Sequence, residues 1–555
     1  MQDAAFNTPN SVVGNRLGSV IYGATCGCSL NHNYPYALGP RLGGAYQITP
    51  KTVFRAGFGV TYSASANNAF LSYSVPDFYT LNEPGWGIAA GTLAAGNPYA
   101  PGNPSGNPVP VYPNFTPQFP QATASGTITP ASPFISIDRN SGRPARTITW
   151  SIGLQREVAH NLVVEAAYVG NRGAWWTAPV LAGQNYNALT PQGLLQNWGI
   201  DVSKDADRNL LLTPISSPAV TARFPWLANP NNVYKGFPAS EPLNQALRPY
   251  PQWLGVPPFL GPPLGDTWYD ALQAKVTKRY SHGLDVQGSF SWQKELNNGV
   301  TSDTSYFTPG TVLINDVFNH QQNKQVSDLS HPFLLVISFN YTTPKLRADS
   351  TGMKALSWAA RDWVFGGVLR YQSGVLIPTP PSSNNFFAQL ARTDNPATFG
   401  GANTFENRNP GAPLLSVDPN CHCFDPQRTL TLNPNAWTDA APGTFGTAAA
   451  YYNNYRWQRW PAESLSLGRQ FPIAKEGRVV LHFRAEFYNV FNRVQLTPPS
   501  VGGAFAPVNS LTAPQTGQGG IYTAGYGYIN MMPGGFNFGY VEKPRSGQLV
   551  ARITF

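Results

Sequence analysis

The chain has 555 residues, of which 12% are charged and 13% are aromatic, with 53 glycines and 52 prolines. This composition is poor in helix formers and rich in strand and turn formers, and no apolar run approaches the ~18 residues of a transmembrane helix. The formal net charge is +9, but Lys and Arg are scattered and not interleaved with aromatic residues, so nucleic acid is not expected as a partner.

The chain begins with a segment that has no basic or apolar signal region, Met1 to Asn10. The first regular pattern follows at residues 41–49 and 51–63, where Leu42, Tyr46, Phe54 and Phe58 alternate with polar or small residues. A period of two predicts strands with one apolar face, here joined by a tight turn at Pro50.

The same alternation recurs along the rest of the chain and predicts eleven strands. The predicted strands are residues 41–49, 51–63, 147–158, 162–171, 267–280, 284–295, 331–343, 363–373, 462–473, 478–492 and 548–555. The connector at residues 344–362 is expected to contain one helical turn. These elements predict an all-β, antiparallel protein.

The longest alternation runs from Arg478 to Asn492, with apolar residues on one parity and charged or polar residues on the other. A strand in a soluble sandwich needs only about five or six residues. Long strands that are apolar outside and charged inside are typical of a transmembrane β-barrel, because lipid contacts hydrocarbon while the lumen is polar.

The predicted connections alternate between short turns and loops of roughly 35 to 90 residues, as in outer-membrane barrels with short periplasmic turns and long extracellular loops. Trp268 and Tyr280 share the apolar parity and would stand roughly 30 Å apart across the membrane, like the two aromatic girdles. The sequence therefore predicts an antiparallel transmembrane β-barrel in the cell outer membrane, with outer-membrane lipid as a partner.

Two groups of side chains are candidates for function. The first group consists of the expected lumen-facing charges, which would line a path for an anionic substrate or simply solvate the pore: Arg55, Lys275, Arg279, Arg370, Arg484, Glu486 and Arg552. The second group consists of loop aromatic residues, which would bind an extracellular glycan or peptide or simply form loop cores: Trp86, Trp175, Trp176, Trp198, Trp226, Tyr451, Tyr452, Tyr455 and Trp457.

Four cysteines occur as two C-x-C pairs, Cys26 with Cys28 and Cys421 with Cys423. Extracellular exposure favours disulfides, and a link between the two loops is favoured over a bridge across one intervening residue. A metal site that includes His422 is the alternative.

The sequence has no recognisable catalytic motif and no cofactor-binding motif, so an enzyme is not expected. The most enzyme-like cluster is Asp316, His320, Asp328 and His331, which more simply hydrogen-bonds loop backbone.

Several segments resemble the barrel of the Oar-like TonB-dependent receptors. They are P-R-L-G-G-A-Y-Q-I-T-P-K-T-V-F-R-A-G-F-G-V-T-Y (40–62), W-S-I-G-L-Q-R-E-V (150–158), V-E-A-A-Y-V-G-N-R-G (164–173), Y-D-A-L-Q-A-K-V-T-K-R-Y-S-H-G-L (269–284), G-T-F-G (443–446), F-R-A-E-F-Y-N-V-F-N (483–492) and the final strand. The resemblance implies a 22-stranded barrel, a luminal plug and a segment that contacts TonB. A terminal aromatic residue such as Phe555 resembles the signal read by the outer-membrane assembly machinery.

Eleven strands cannot close a single-chain bacterial barrel, which has an even number of strands. We therefore expect residues 41–555 to be the C-terminal half of a 22-stranded barrel and residues 1–40 to be the remnant of an extracellular loop. No counterpart of a plug, signal peptide or TonB-contacting segment is recognised. The alternative is a twelfth strand at Ser11 to Tyr22, which would permit a small closed barrel.

The expected function is TonB-dependent transport or reception of an unknown substrate, with contact to the TonB energy-coupling complex through a missing N-terminal region. The alternative is a surface adhesin or a structural barrel without active transport.

Overall fold

The computed structural model describes most of the predicted strands and much of the loop sequence. The described residues are 7–19, 34–63, 120, 122–131, 140, 143–176, 187–254, 263–300, 315–316, 319–344, 350–382, 404–421, 423–473, 479–499, 501, 516–518, 521–529 and 544–555.

The described strands are mostly long and match the alternating segments of the sequence. They are β1 (Pro9–Asn10), β2 (Arg16–Leu17), β3 (Arg41–Thr49), β4 (Thr52–Tyr62), β5 (Arg146–Ala159), β6 (Leu162–Trp176), β7 (Gly265–Ser281), β8 (Leu284–Asn298), β9 (Lys324–Val326), β10 (Phe333–Thr342), β11 (Trp363–Gln372), β12 (Leu376–Pro378), β13 (Asn407–Arg408), β14 (Trp437–Thr438), β15 (Tyr451–Arg456), β16 (Trp460–Pro472), β17 (Val480–Tyr488), β18 (Thr516–Gln518), β19 (Ile521–Ala524) and β20 (Ser546–Thr554).

One large antiparallel sheet dominates the described chain, and we call it the wall. Its order is β3, β4, β5, β6, β7, β8, β10, β11, β16, β17 and β20, and the short β9 pairs with β8 to complete a 12-stranded sheet. Each long strand pairs with its neighbours along the chain, which makes the wall a meander. The all-β, antiparallel prediction is confirmed.

Cross-strand register places the apolar parity of successive strands on one face of the wall. One row across eight strands is Tyr46, Phe54, Leu154, Ala166, Ala274, Phe290, Leu335 and Tyr371. Large side chains of this face are exposed, with Leu42 at 70%, Tyr46 at 69% and Ile152 at 52%. No second protein layer covers these described side chains.

The rims of the wall differ in the length of their connections. At one rim β7 turns into β8 through His282 and Gly283, whose φ angles of 54° and 82° fit a two-residue hairpin turn. A Cβ on Gly283 would lie 2.3 Å from the Thr342 carbonyl oxygen, so glycine is also required by space. We call this the short-turn rim; the opposite one is the long-loop rim.

The organising strand is shorter than the alternation predicts. β17 ends at Tyr488, although the alternating pattern continues to Asn492. Asn489 and Asn492 have φ angles of 47° and 51°, in the left-handed region that asparagine adopts more readily than most residues. These two residues turn the chain back before the predicted strand end.

Five α-helices are described, four of them short and at the long-loop side. They are α1 (Pro191–Trp198), α2 (Asp205–Leu211), α3 (Pro218–Arg223), α4 (Leu243–Ala246) and α5 (Thr351–Ala360). Single 3₁₀ turns lie at Ser11–Val13, Pro225–Ala228, Pro230–Asn232, His320–Asn323 and Pro434–Ala436. Across the described ranges no helix has both the length and the apolar character needed to cross a membrane.

Helix α5 lies in the connector between β10 and β11 and is longer than the single turn expected there. Ser350 caps its start by accepting a hydrogen bond from the Met353 N–H at 3.3 Å. Its C-terminal carbonyls accept from the wall, through Arg469 to Trp358 and through Trp363 Nε1 to Ala359 at 2.7 Å. These bonds fix the helix end to the short-turn rim.

Most of the buried apolar side chains lie outside the wall, in two clusters. Loop core A is built mainly from residues 189–247 and also contains Val13 and Ile128. Loop core B is built from residues 376–457 with Tyr526 and Ile529. We call these two cores and the segments that carry them the loop layer.

The alternative twelfth strand at Ser11 to Tyr22 does not form in its described part. Residues 11–13 form a 3₁₀ turn, and Arg16–Leu17 pair only with Pro9–Asn10 in a two-stranded sheet. The Gly18 carbonyl accepts from Trp253 Nε1 at 2.8 Å, so this segment belongs to the loop layer. Residues 20–22 lie outside the described residues.

Candidate functional site: the polar face of the wall and the loop layer

The charges predicted to line a lumen lie together on the face opposite the apolar one. Lys275 is paired with Glu165 on β6 and with Ser289 on β8, and the same row continues through Val336 to Arg370. Because side chains alternate along a strand, Arg279 shares this face with Lys275. Lys275, Arg279 and Arg370 are exposed, which leaves their charged ends free to meet a solute or solvent.

Two small concavities occur on this polar face. One is a cavity of about 160 Å³ lined by Glu165, Lys275, Thr277 and Arg279, among others. The other is a cavity of about 310 Å³ whose lining includes His482, Arg484 and Arg552. Both are basic on balance, so they would attract anions more readily than cations.

Glu486 is the acidic member of the predicted lumen charges, and it is held by three neighbours. Arg484 forms an ion pair with it, Gln548 Nε2 donates to it, and the Tyr488 hydroxyl donates to Oε2 at 3.2 Å. The Glu486 carboxylate is therefore already satisfied within the polar face and leaves Arg552 on β20 with no acidic partner among the described contacts.

Arg55 lies at the other end of the polar face. It pairs in register with Gly153, whose neighbour on β6 is Ala167 and on β7 is Gln273. The absence of large side chains beside it leaves Arg55 exposed. The wall therefore displays basic groups from β4 to β20.

The loop aromatic candidates divide by burial. Tyr451, Tyr455 and Trp457 are 7%, 0% and 3% exposed within loop core B, and Tyr452 packs against that core. Burial raises the pKa of the Tyr455 hydroxyl well above its ordinary value. These side chains have the loop-core role that was the alternative to ligand binding.

Trp198 and Trp226 are partly buried against loop core A, where their rings stack with centroids 5.9 Å apart. Trp176 ends β6 half-buried, with its indole N–H without a hydrogen-bond partner among the described residues. Trp86 lies outside the described residues.

Trp175 is at the centre of a cluster that sequence reasoning missed in part. The guanidinium carbons of Arg143 and Arg146 lie 3.3 Å and 4.1 Å from the centroid of its ring, and the ring of Tyr34 meets it edge-on at 5.6 Å. Two cations on one indole are a cation–π arrangement. The only signal in the sequence was the proximity of Arg143 and Arg146 to the start of a strand.

Buried titratable groups in the loop layer have perturbed pKa values. Burial, reinforced by the neighbouring Asp439 carboxylate, raises the pKa of Glu406 to about 7. Burial opposes ionisation of Asp207, but hydrogen bonds from Arg223 and the Asp201 N–H outweigh it and lower the pKa. Both groups are 7% exposed or less, so their role is in the loop cores.

The cysteine pairing expected between loops is wrong for the second pair, because Cys421 and Cys423 form a disulfide with each other. Their separation of 2 in sequence brings the two sulfur atoms together at a turn after Asp418, which the cross-loop expectation did not allow for. Cys26, Cys28 and His422 lie outside the described residues.

The enzyme-like cluster has only backbone contacts among its printed bonds. His331 Nδ1 lies 3.0 Å from the Ser373 carbonyl oxygen, and the Asp316 carbonyl accepts from Asn323 at 2.7 Å. Where the structure describes the chain, no group of three or more His, Cys, Asp or Glu side chains could hold a metal ion.

Phe555 follows β20 at the short-turn rim, where Thr554 pairs with Val480. It continues the apolar parity of Leu549 and Ile553, and its side chain is 100% exposed. A role in assembly stays a prediction.

Comparison with known proteins fits this arrangement of an apolar outer face and a polar inner face. The family described as "outer membrane beta barrel domain" matches residues 3–522. The chain belongs to this family. The protein is therefore an outer-membrane β-barrel protein, and the Oar-like assignment stays a prediction.

Three solved structures illustrate the fold-level likeness. They are the outer membrane transporter YddB from Escherichia coli (9% identity, TM-score 0.32, 82% of this chain and 37% of that chain), the ferric citrate transporter FecA (9%, 0.32, 93% and 38%) and the pyoverdine receptor FpvA from Pseudomonas aeruginosa (9%, 0.30, 93% and 36%). The chain thus spans little more than a third of these chains. No curated protein matched.

Proposed function

We propose that this barrel protein is a receptor and transporter that takes up an anionic solute across the outer membrane. The observation that carries the proposal is the distribution of charge on the wall: one face is apolar, and the other carries Arg55, Lys275, Arg279, Arg370 and Arg552. A basic inner face raises the local concentration of anions. The ordered loop layer would then be the entrance that selects the solute.

We further propose that the wall is the C-terminal half of a 22-stranded barrel and that residues 1–40 belong to one of its extracellular loops. Among the described strands, β3 and β20 are the terminal members of the sheet. Unpaired backbone groups in hydrocarbon cost several kcal/mol each, on the order of a lost hydrogen bond in an apolar medium. Further strands that pair with both edges would remove this cost.

Energy coupling through TonB completes the proposal, with the contact made by a region outside the present chain. The Oar-like resemblance of the strand sequences supports this part, and Phe555 would serve as the assembly signal. The substrate class beyond negative charge is a glycan or peptide derivative whose neutral part meets the loop aromatic residues, above all Trp175, Trp198 and Trp226.

Uptake by intact cells tests the function. Cells that carry or lack the gene are given radiolabelled ferric citrate as an anionic probe and a neutral maltooligosaccharide as control, with and without a protonophore. We expect gene-dependent accumulation of the anion that the protonophore abolishes. The lumen charge reversals Lys275→Glu and Arg370→Glu should reduce it, whereas Arg428→Glu in a loop should not.

An adhesin or structural barrel is the second candidate, because two compact loop cores form a large ordered surface. Surface binding of cells to immobilised glycans that is unchanged by the protonophore, with no accumulation of any probe, would favour it over transport.

The half-barrel proposal has a separate test. An antibody raised against residues 404–421 should detect a protein much larger than 60.2 kDa in outer membranes. A folded, heat-modifiable band at about this mass would overturn the proposal and leave the uptake result unaffected.

A further inference from the structure

A large cavity lies where the wall meets the loop layer, and we call it the junction cavity. Its volume is about 1030 Å³. The floor is formed by Phe333, Leu335, Tyr371 and Pro461 of the wall, and the roof by residues 415–420 of the loop layer. The floor is apolar and the upper edge carries charge.

The junction cavity opens on the apolar face of the wall and not into the lumen. Leu335 pairs with Tyr371 and Tyr371 with Pro461, and Leu335 also pairs with Phe290 in the row that contains the exposed apolar side chains. Phe333 follows on the same parity and stacks on Trp292, with ring centroids 6.4 Å apart. The floor of the cavity is therefore continuous with the surface that lipid covers.

Three arginines line the cavity above this floor, and they differ in how they are engaged. Arg493 binds the fully buried Glu463 carboxylate, with Nε 3.1 Å and 3.0 Å from its two oxygens. Arg456 donates to the carbonyls of Ser330 and Gly374 at 2.7 Å and 3.0 Å. Although burial lowers its pKa to about 10, Arg456 stays charged at neutral pH.

Arg459 is the arginine with a free side chain among the described contacts. Its backbone N–H donates to Asn420 Oδ1 at 2.8 Å and its carbonyl accepts from Gln495 at 2.9 Å. These two backbone bonds fix its position at the cavity edge, while the exposed guanidinium has no printed partner. Asp418 is the acidic side chain of the lining, and its carboxylate accepts from the Asn420 N–H.

The surroundings extend the same chemistry. A smaller cavity of about 190 Å³ adjoins and shares Asn420, Arg459, Pro461 and Arg493 with the junction cavity. Beside it, Phe491 and Val494 are 62% and 64% exposed. Free cationic groups thus stand at the border between exposed apolar side chains and the polar loop layer.

We propose that the junction cavity binds a phosphorylated, acylated sugar lipid of the outer leaflet, with acyl chains on the Phe333, Leu335 and Tyr371 floor and a phosphate at Arg459. The long-loop rim faces outward in barrels of this class, so the cavity lies at the headgroup level of that leaflet. Guanidinium groups suit phosphate because they donate two parallel hydrogen bonds.

Charge and shape favour this occupant over a water-soluble anion. A free anion would gain nothing from the apolar floor, whereas an acyl chain covers surface that otherwise meets water or loosely packed lipid. A second copy of the chain would need a large, complementary apolar surface, and the charged edge of the cavity is a poor centre for one.

Binding of purified lipid to the full-length protein in detergent tests the proposal. The probes are diphosphorylated hexa-acyl lipid A, the same lipid without phosphate, and inorganic phosphate; affinity is read by native mass spectrometry. The variant is Arg459→Ala, with Arg459→Lys as the conservative change and Arg428→Ala as the control in an exposed loop. Heat-dependent gel mobility verifies that every variant is folded.

We expect Arg459→Ala to weaken lipid A binding by about tenfold, on the order of one charge-assisted hydrogen bond. Arg459→Lys should recover part of the affinity, and Arg428→Ala should bind like the unaltered protein. Equal affinity of Arg459→Ala and the unaltered protein would overturn the proposal. So would equal affinity for the dephosphorylated lipid, for inorganic phosphate alone, or a lipid-independent dimer that blocks the cavity.

Discussion

The wall and the loop layer use apolar residues in opposite ways. In the wall, large side chains such as Leu42, Tyr280 and Leu549 are 70%, 65% and 72% exposed, whereas in the loop layer Leu194, Leu227 and Trp253 are at most 1% exposed. The loop layer folds as soluble proteins do, by burying apolar surface from water. The wall leaves its apolar surface for lipid, so its protein partner is only the adjacent strand.

The contrast should be largest at Trp437, which is 3% exposed in loop core B with Tyr455 at a ring distance of 5.8 Å. Trp437→Ala should destabilise this core by about 3–5 kcal/mol, because the cavity left behind loses packing contacts. Limited proteolysis with mass spectrometry should then cut residues 404–457 faster, with heat-dependent gel mobility unchanged. Phe483→Ala, at a wall residue that is 47% exposed, is the control; a similar loss there would contradict the contrast.

A charge placed on the wall should reveal which face meets lipid. Ala274 is on the apolar row and Gln273 is its neighbour on the polar face. Ala274→Arg should destabilise the protein by about 2–4 kcal/mol near the membrane centre, while Gln273→Arg should change stability little. Urea unfolding of the full-length protein in lipid vesicles measures both. Equal effects would mean that the two faces are not lipid and lumen.

The loop layer should also respond to pH where the wall does not. Because burial and Asp439 hold the pKa of Glu406 at about 7, above the ordinary 4.5, the folded state retains the proton more strongly than the unfolded state. The stabilisation is full below about pH 4.5 and is lost as the pH rises through about 7. Protease resistance of loop core B should therefore fall over this range, and Glu406→Gln should remove the dependence. A pH dependence that persists in Glu406→Gln would assign it to another group.

The smallest effect is expected at a helix end. Thr190 caps α1, since its hydroxyl accepts from the Gly193 N–H at 3.0 Å. Thr190→Ala should weaken loop core A by about 1 kcal/mol. Hydrogen exchange of the α1 amides should rise, and Thr190→Ser should behave like the natural chain. Unchanged exchange would mean that α1 is held only by its packed face.

The wall was largely predictable because its determinants are local. A period of two and turn residues are visible in any short window, and Arg41–Thr49 has the bounds that the alternation predicts. The shorter end of β17 was missed because two asparagines adopt positive φ inside an alternating pattern. Nothing local distinguishes these asparagines from ones that continue a strand.

The loop layer was not predictable because its contacts join distant parts of the chain. Val13 and Ile128 pack with residues 189–247 in loop core A, and apolar residues in these loops have no regular period. The same holds for the junction cavity, which needs Phe333, Asp418 and Arg493 together. One signal did exist: Glu463 shares the apolar parity of Leu465 and Leu467, and a charge on a lipid-facing parity requires a partner, which is Arg493.

The meander order of the wall has a consequence for assembly in the membrane. Since each long strand pairs with the strands before and after it along the chain, the sheet can grow one hairpin at a time. The short turns can stay on the side from which the chain arrives, but the loops between β4 and β5 and between β6 and β7 must cross the bilayer before they fold. Loop cores A and B, which draw on several of these loops, can therefore mature only after the hairpins that deliver them have inserted.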